Sequence, residues 1–302
     1  MLLSEILKNG IVDFPCRIEN EKGFTYLALA SYSLEQPVCT FLDTAKYAHM
    51  INNSVSMLLT TEELYPVFKD RSFGICICEK PRELFFKLHN YISGHTEYGY
   101  TRPVFDTTIG QNSNISPLAS VAKKNVRIGD NVTIEEFCVI RENTVIGDNT
   151  IIRSGAKIGG QGFEFKRKDN TIFPVAHTGG VIIGHDVEIQ YNTCVDRAIY
   201  PWDNTEIGDY TKIDNLVHIG HAVKLANDVL VVANSGIGGR TEIGEGTWIG
   251  FGATVINGTT VGKNARVNMG AVATRPVPDG GSVTGNFAIE HEKFIENLKK
   301  SL

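Results

Sequence analysis

Aliphatic side chains recur at every sixth position across more than half of this chain. Stepping by six from Ile128 gives Ile134, Ile140, Ile146, Ile152 and Ile158. A second series starts at Ile183 and runs through Ile189, Val195, Pro201, Ile207, Ile213, Ile219 and onward to Val267; fourteen of its fifteen positions are aliphatic, and only Pro201 breaks it. Independent draws at the chain's hydrophobic frequency would produce such a run less than about once in ten thousand tries. Glycine commonly follows the aliphatic residue (Gly129, Gly147, Gly184, Gly208, Gly220, Gly238), and Asp or Asn comes soon after (Asp130, Asp148, Asp209, Asn264). These types tolerate positive φ at corners, so each hexad reads as one short strand and one tight turn. Three hexads then close a triangular coil of eighteen residues. The aliphatic side chains point inward and stack on the next coil, each stabilising the column by ~1.5–3 kcal/mol when fully buried. The pattern predicts a mainly β chain.

The period fails in informative places. Ile109, Ile115 and Val121 join the first series by a seven-residue step, whereas Ile158 and Ile183 are twenty-five apart, which predicts a loop over 159–182 thrown out from the prism. Loops on a solenoid are frequent carriers of function. Residues 1–105 have no hexad. There Ser56–Leu59 and Phe73–Ile77 read as buried strands, and Pro81–Ser93 reads as a helix with Pro81 at its first turn and Leu84, Leu88, Tyr91 and Ile92 at helical spacing. The expected organisation is an α/β domain over 1–105, a repeat domain over 106–284, and a short amphipathic helical tail over 285–302.

Charge and composition narrow the partners. The chain has 302 residues with a formal charge of -5, so no basic surface for nucleic acid is expected. No apolar stretch approaches the ~20 residues of a membrane span, and the first ten residues lack the pattern of a signal peptide, so a cytoplasmic location is expected. Six cysteines (Cys16, Cys39, Cys76, Cys78, Cys138, Cys194) lack the paired spacing of a zinc ribbon and are expected to be reduced structural thiols, with no metal. Cys76 and Cys78 would share one face of a strand, where a redox or metal pair is the alternative.

The segment Ile213-Asp214-Asn215-Leu216-Val217-His218-Ile219-Gly220-His221 holds two histidines in a repeat that otherwise prefers small or aliphatic residues. Ile219 points inward by the period, so His218 and His221 fall outside or at a corner, where an imidazole of pKa ~6.5 can act as a base or simply hydrogen-bond across a turn. Eighteen residues beyond His221 stands Gly239, whose bare backbone N–H suits an oxyanion donor or makes a tight corner, and eighteen before it stands Asp203. Asp196-Arg197 is either an exposed ion pair or a polar substrate contact. Gly159-Gly160-Gln161-Gly162-Phe163 is glycine-rich, but no Lys-Ser/Thr follows as a phosphate loop requires.

These residues carry a resemblance. Thr40-Phe41-Leu42 with Lys46-Tyr47, Gly159 to Phe163, Val195-Asp196-Arg197, and Ile213-Asp214-Asn215 through His221 resemble the hexapeptide-repeat acyltransferases, and within them the UDP-3-O-acylglucosamine N-acyltransferase family or a nucleotide-amino-sugar N-acyltransferase paralogue. The resemblance implies a left-handed parallel β-helix, a hand that the period itself does not fix, and a homotrimer with sites between neighbouring prisms. It implies transfer of an acyl group from a thioester, acyl-CoA or acyl carrier protein, to the amine of a nucleotide-linked amino sugar, in lipid A or surface-polysaccharide synthesis, with no cofactor. His221 matches the family's base and Gly239 its oxyanion glycine. Phe41 and Tyr47 match the nucleotide-base contacts, and Gly162, Phe163, Asp196, Arg197, Asn215 and His218 are the further substrate-binding candidates. Thr44-Ala45, Ala222 and Thr259 depart from the family pattern, and Val283-Thr284-Gly285-Asn286-Phe287-Ala288 is similar to the close of sugar acetyltransferases, which points to the paralogue.

Two other classes share the prism. A zinc-dependent carbonic anhydrase-type protein needs three histidines including an H-x-x-x-x-H pair, whereas His218 and His221 are three apart. A non-catalytic solenoid scaffold would show ladders of one residue type on its outward face, where this chain is varied.

Overall fold

The computed structural model describes residues 1–168, 171–285 and 288–301; Asn286, Phe287 and Leu302 of the expected tail lie outside the described residues, as do positions 169 and 170 of the expected loop. The chain forms two compact units. One holds Met1–Pro103, Gln161–Gly179 and Ile199–Asp203, and the other holds Val104–Gly160, Gly180–Ala198 and Asn204–Leu302.

In the first unit five strands, β1 (Cys16–Glu19), β2 (Tyr26–Leu27), β3 (Val38–Leu42), β4 (Val55–Thr60) and β5 (Gly74–Cys78), form a sheet in the order β1-β5-β4-β3-β2. Only β1 runs antiparallel to its neighbour. The fully buried run Gly-Ile-Cys-Ile-Cys of β5 is what a strand covered on both faces requires. Alternate residues separate into two cores. Met57, Leu59, Cys76 and Cys78 face Leu84, Phe85, Leu88 and Ile92 of the helix Pro81–Ser93, while Leu58, Ile75 and Ile77 face Phe68 and Phe73. The segment 161–179 contributes an antiparallel strand pair, Phe165–Lys168 with Thr171–Pro174, and Val175 enters the helix-side core together with Ile199 and Tyr200.

His89 pins that helix to the 161–179 segment. It is fully buried, with Nδ1 3.1 Å from the Tyr100 hydroxyl and Nε2 2.8 Å from the Ala176 carbonyl. Burial holds its pKa down to about 4 from 6.5. The folded state therefore binds fewer protons than the unfolded chain between these values, so this contribution to stability is complete above pH 6.5 and is lost as pH falls toward 4. Two and a half pH units correspond to about 3 kcal/mol. Denaturant unfolding at pH 7 and pH 4.5 is expected to show a smaller pH loss in His89→Gln than in the wild type; equal losses would contradict the assignment.

The second unit is a three-sided column of parallel strands, most of them two residues long. Its three sheets have nine, eight and eight strands and run from Asn114–Ile115 to Ser282–Val283, from Ser120–Val121 to Val272–Ala273, and from Thr108–Ile109 to Thr260–Val261. The period-six aliphatics are its core: Ile128, Ile158, Ile189, Ile219, Ile237 and Val261 are all 4% exposed or less. Buried threonines knit successive coils from within. Thr150 donates to the Gly184 carbonyl at 3.0 Å, Thr193 to Asp214 at 2.7 Å and Thr247 to Gly262 at 2.7 Å. The tail helix, His291–Ser301, exposes Phe294 and Leu298.

Two sequence expectations change in physical terms. Apart from Gly159, with φ 78, the glycines after the aliphatic residues do not take the positive φ; the residue two places on does, as at Asn149 after Gly147 and Ala222 after Gly220. Gly147 is required by close packing instead, since a Cβ there would lie 2.5 Å from the Gly184 carbonyl oxygen. The second change concerns register. Most partners are eighteen apart, as Ile219 with Ile237, but Ile158 pairs with Val195 and Val195 with Ile219. One coil thus contains the long excursion and the next an extra six residues around Pro201. Pro201 is not a wall position at all, because residues 199–203 leave the column. The step is twenty-four from Val195 to Ile219 and eighteen again from Glu206 to Lys224, so the extra residues enter between these two strands, at the corner that precedes Thr205.

Candidate active site

His221 follows the strand His218–Ile219 and the corner residue Gly220. Its backbone carbonyl accepts the Arg240 N–H at 2.8 Å, and the pairing of Ile219 with Ile237 carries forward to set Gly239 directly against it. The imidazole lies on the glycine. A Cβ added to Gly239 would sit 2.6 Å from both Cε1 and Nε2 of His221 and 2.9 Å from Nδ1. No side chain fits there. The Gly239 N–H has no acceptor among the described residues, which leaves it able to donate to a developing oxyanion. Ala222, immediately after the histidine, is held at φ 58, a left-handed conformation that costs an alanine roughly 1 kcal/mol.

Further polar groups stand on the same wall and on the coil below it. His218 is exposed, with Nε2 3.7 Å from Oδ2 of Asp196, which is itself buried. Burial raises the Asp196 pKa above the usual carboxylate range, and the adjacent His218 opposes that rise. Arg197 does not pair with Asp196: its Nε donates to the Gly159 carbonyl at 2.7 Å and its backbone N–H to Gly160 at 2.9 Å. Burial lowers its pKa. Asn215 is committed to the stack, its side-chain oxygen accepting the Tyr191 N–H at 3.1 Å and its backbone carbonyl the Asn234 N–H at 3.1 Å. Thr205 was not among the residues singled out from the sequence. Its hydroxyl donates to the Asp196 carbonyl at 2.6 Å and accepts the Ala222 N–H at 2.8 Å, so one buried side chain fixes the backbone on both sides of this group. A threonine at the buried end of a hexad was the available signal.

The remaining candidates lie in the first unit. Phe41 and Tyr47 share a cleft of about 270 Å³ with Leu29, Met50, Asp43 and Arg82. The Arg82 guanidinium lies 5.5 Å from the Phe41 ring centre and bonds Asp43 at 3.0 Å, while the Lys46 ammonium stands 5.2 Å from the Tyr47 ring. Asp43 and Arg82 also line an adjoining cleft of about 600 Å³ with Lys80, Phe165, Lys166 and Arg167. Gly162 and Phe163 belong to the same unit but to neither cleft lining; Phe163 is 87% exposed, its ring 4.8 Å from that of Phe165. Aromatic faces beside cationic side chains suit a planar base carrying phosphates.

Residues 125–160 match the family model for the bacterial transferase hexapeptide, six repeats. A crystal structure of a UDP-N-acetylglucosamine acyltransferase from Bacteroides fragilis superposes with a TM-score of 0.54 at 22% identity, over 67% of this chain and 76% of that one. The column is a left-handed hexapeptide-repeat β-helix. Among curated relatives, a UDP-3-O-acylglucosamine N-acyltransferase of Legionella pneumophila is 51% identical over 88 residues, 29% of this chain and 25% of its own length. One from Francisella tularensis is 37% identical over 134 residues, 44% of this chain and 33% of its own length. The chain thus matches a quarter to a third of the length of these relatives, both of which carry the name UDP-3-O-acylglucosamine N-acyltransferase.

Proposed function

We propose that this protein is an N-acyltransferase that moves an acyl group from a thioester to the amine of a nucleotide-linked amino sugar. The observation that supports it most is the imidazole of His221 lying against Gly239, whose N–H has no acceptor among the described residues. In this reading the sugar amine attacks the thioester carbonyl. His221 takes the amine proton as the C–N bond forms, the Gly239 N–H stabilises the oxyanion, and collapse expels the donor as its thiol. Asp196 and His218, polar groups beside that pair, are proposed to contact the sugar, with Arg197 and Asn215 holding the wall beneath them. Phe41 and Tyr47 are proposed to stack the nucleotide base, with Arg82 toward the phosphates and Gly162 and Phe163 as further contacts. The names of the relatives support the acceptor class, an acylated UDP-amino sugar in the lipid A enzymes or a related nucleotide sugar.

The donor is proposed to be acyl-CoA or acyl carrier protein, and the working form a homotrimer in the cytoplasm. No helix among the described residues is long and apolar enough to cross a membrane. The zinc-lyase reading loses support from geometry. His185 follows a strand of a different sheet and lies against Asp148 at 3.4 Å, away from the wall that carries His218 and His221. Incubation with UDP-acylglucosamine and an acyl carrier thioester, or with a dTDP-amino-deoxysugar and acyl-CoA, should yield an acylated amine by mass spectrometry with release of one thiol per product. Turnover of neither pair would overturn the proposal.

A further inference from the structure

Three cysteines from two strands converge on one face of the first unit's sheet. Cys76 and Cys78 are two apart on β5, and Cys16 of β1 stands opposite Cys78 in the antiparallel register. The three sulfurs all lie within 4.8 Å of one another. Two thiolates on one zinc-class ion stand about 3.8 Å apart, given metal–sulfur bonds of about 2.3 Å and tetrahedral angles. The cluster is thus already close to the spacing of a shared ion.

Its surroundings are asymmetric. Cys76 and Cys78 are buried against the helix-side core, whereas Cys16 is half-buried and, with Cys78, lines a cleft walled by Glu62, Glu63, Glu79 and Arg17, with Arg17 paired to Glu62 at 2.8 Å. The mouth is acidic on balance and attracts a cation, and the apolar floor keeps water from competing for it. All six cysteines are free thiols.

We propose that Cys16, Cys76 and Cys78 form a binding site for a single thiophilic divalent cation of the zinc class. The three sulfurs bind as thiolates, water completes the shell from the cleft, and each thiol that ligates gives its proton to solvent. The site is independent of acyl transfer. It ties the edge strand β1 to β5 from within the core and so acts on the stability of this unit.

The test uses the full chain, reduced and stripped of metal, titrated with Cd²⁺ in the absence of air. A sulfur-to-cadmium charge-transfer band saturating at one ion per chain, with proton release, is expected. The band should disappear in Cys16→Ser, a partly exposed position where serine is tolerated, and persist in Cys39→Ser, which alters the same core outside the cluster. Zn²⁺ should raise the melting temperature of the wild type but not of Cys16→Ser. No band, a band that survives in Cys16→Ser, or a Cys16–Cys78 disulfide that forms on reoxidation despite saturating Cd²⁺ would each overturn the proposal.

Discussion

His221→Ala is expected to lower kcat by at least about 100-fold while leaving the protein folded, the range in which a positioned general base contributes. Two observations make the split between activity and folding a strong one. His221 lies outside the aliphatic stack, whose nearest members Ile219 and Ile237 point inward and are fully buried. Its backbone tie to the next coil, the Arg240 N–H to the His221 carbonyl, survives the substitution. The expected signature is a fall in kcat with KM little changed and a melting temperature close to wild type, read from steady-state kinetics and circular dichroism on the same preparation. Unchanged turnover would remove His221 from the reaction and leave its contact with Gly239 a packing feature.

Gly239→Ala should be comparably damaging by a different route. Its φ is not in the left-handed region, so the backbone tolerates alanine; the harm comes from a Cβ 2.6 Å from two ring atoms of His221. The column is rigid around this corner, since neighbouring coils are hydrogen-bonded on both sides, and the imidazole is the part able to move. Displacing it by the ~1 Å that relieves the clash takes the base out of line and crowds the N–H, for a loss of about 10²–10³ in kcat. Gly236, one coil position before the inward Ile237, is the matched control, because a Cβ there meets nothing within 4 Å. Gly236→Ala retaining near-wild-type activity while Gly239→Ala loses it would separate local crowding from a general intolerance of alanine on that strand. Full activity in Gly239→Ala would show that the ring is not needed where it stands.

The repeat made the column legible because one buried residue type at a fixed step is a direct imprint of a wall that closes every eighteen residues. The stacking of Gly239 over His221 followed from the same arithmetic. The arithmetic failed where the chain added a whole hexad. The six extra residues around Pro201 leave the phase of every later aliphatic intact, so the count passes over an insertion that the strands reveal by pairing Val195 with Ile219 at a step of twenty-four. The nineteen-residue excursion is not a multiple of six and shows at once. Cys16 was out of reach for another reason. Its approach to Cys76 and Cys78 depends on antiparallel pairing of β1 with a strand far along the chain, and no local pattern encodes such a partner. The glycines after each aliphatic residue were visible, but whether a glycine answers to torsion or to crowding depends on the coil above it.

A column in which each coil touches only the one before and the one after comes apart as a zipper does, from its open ends. The outermost pairs, Thr108–Ile109 at one end and Ser282–Val283 at the other, have a neighbour on one side only. In their sheet the strand before His221 has three rungs above it and the strand before Gly239 has two, with at least four below each. Terminal opening can therefore proceed through many cycles without disturbing the imidazole, and amide exchange would be slowest where the chemistry is proposed to occur.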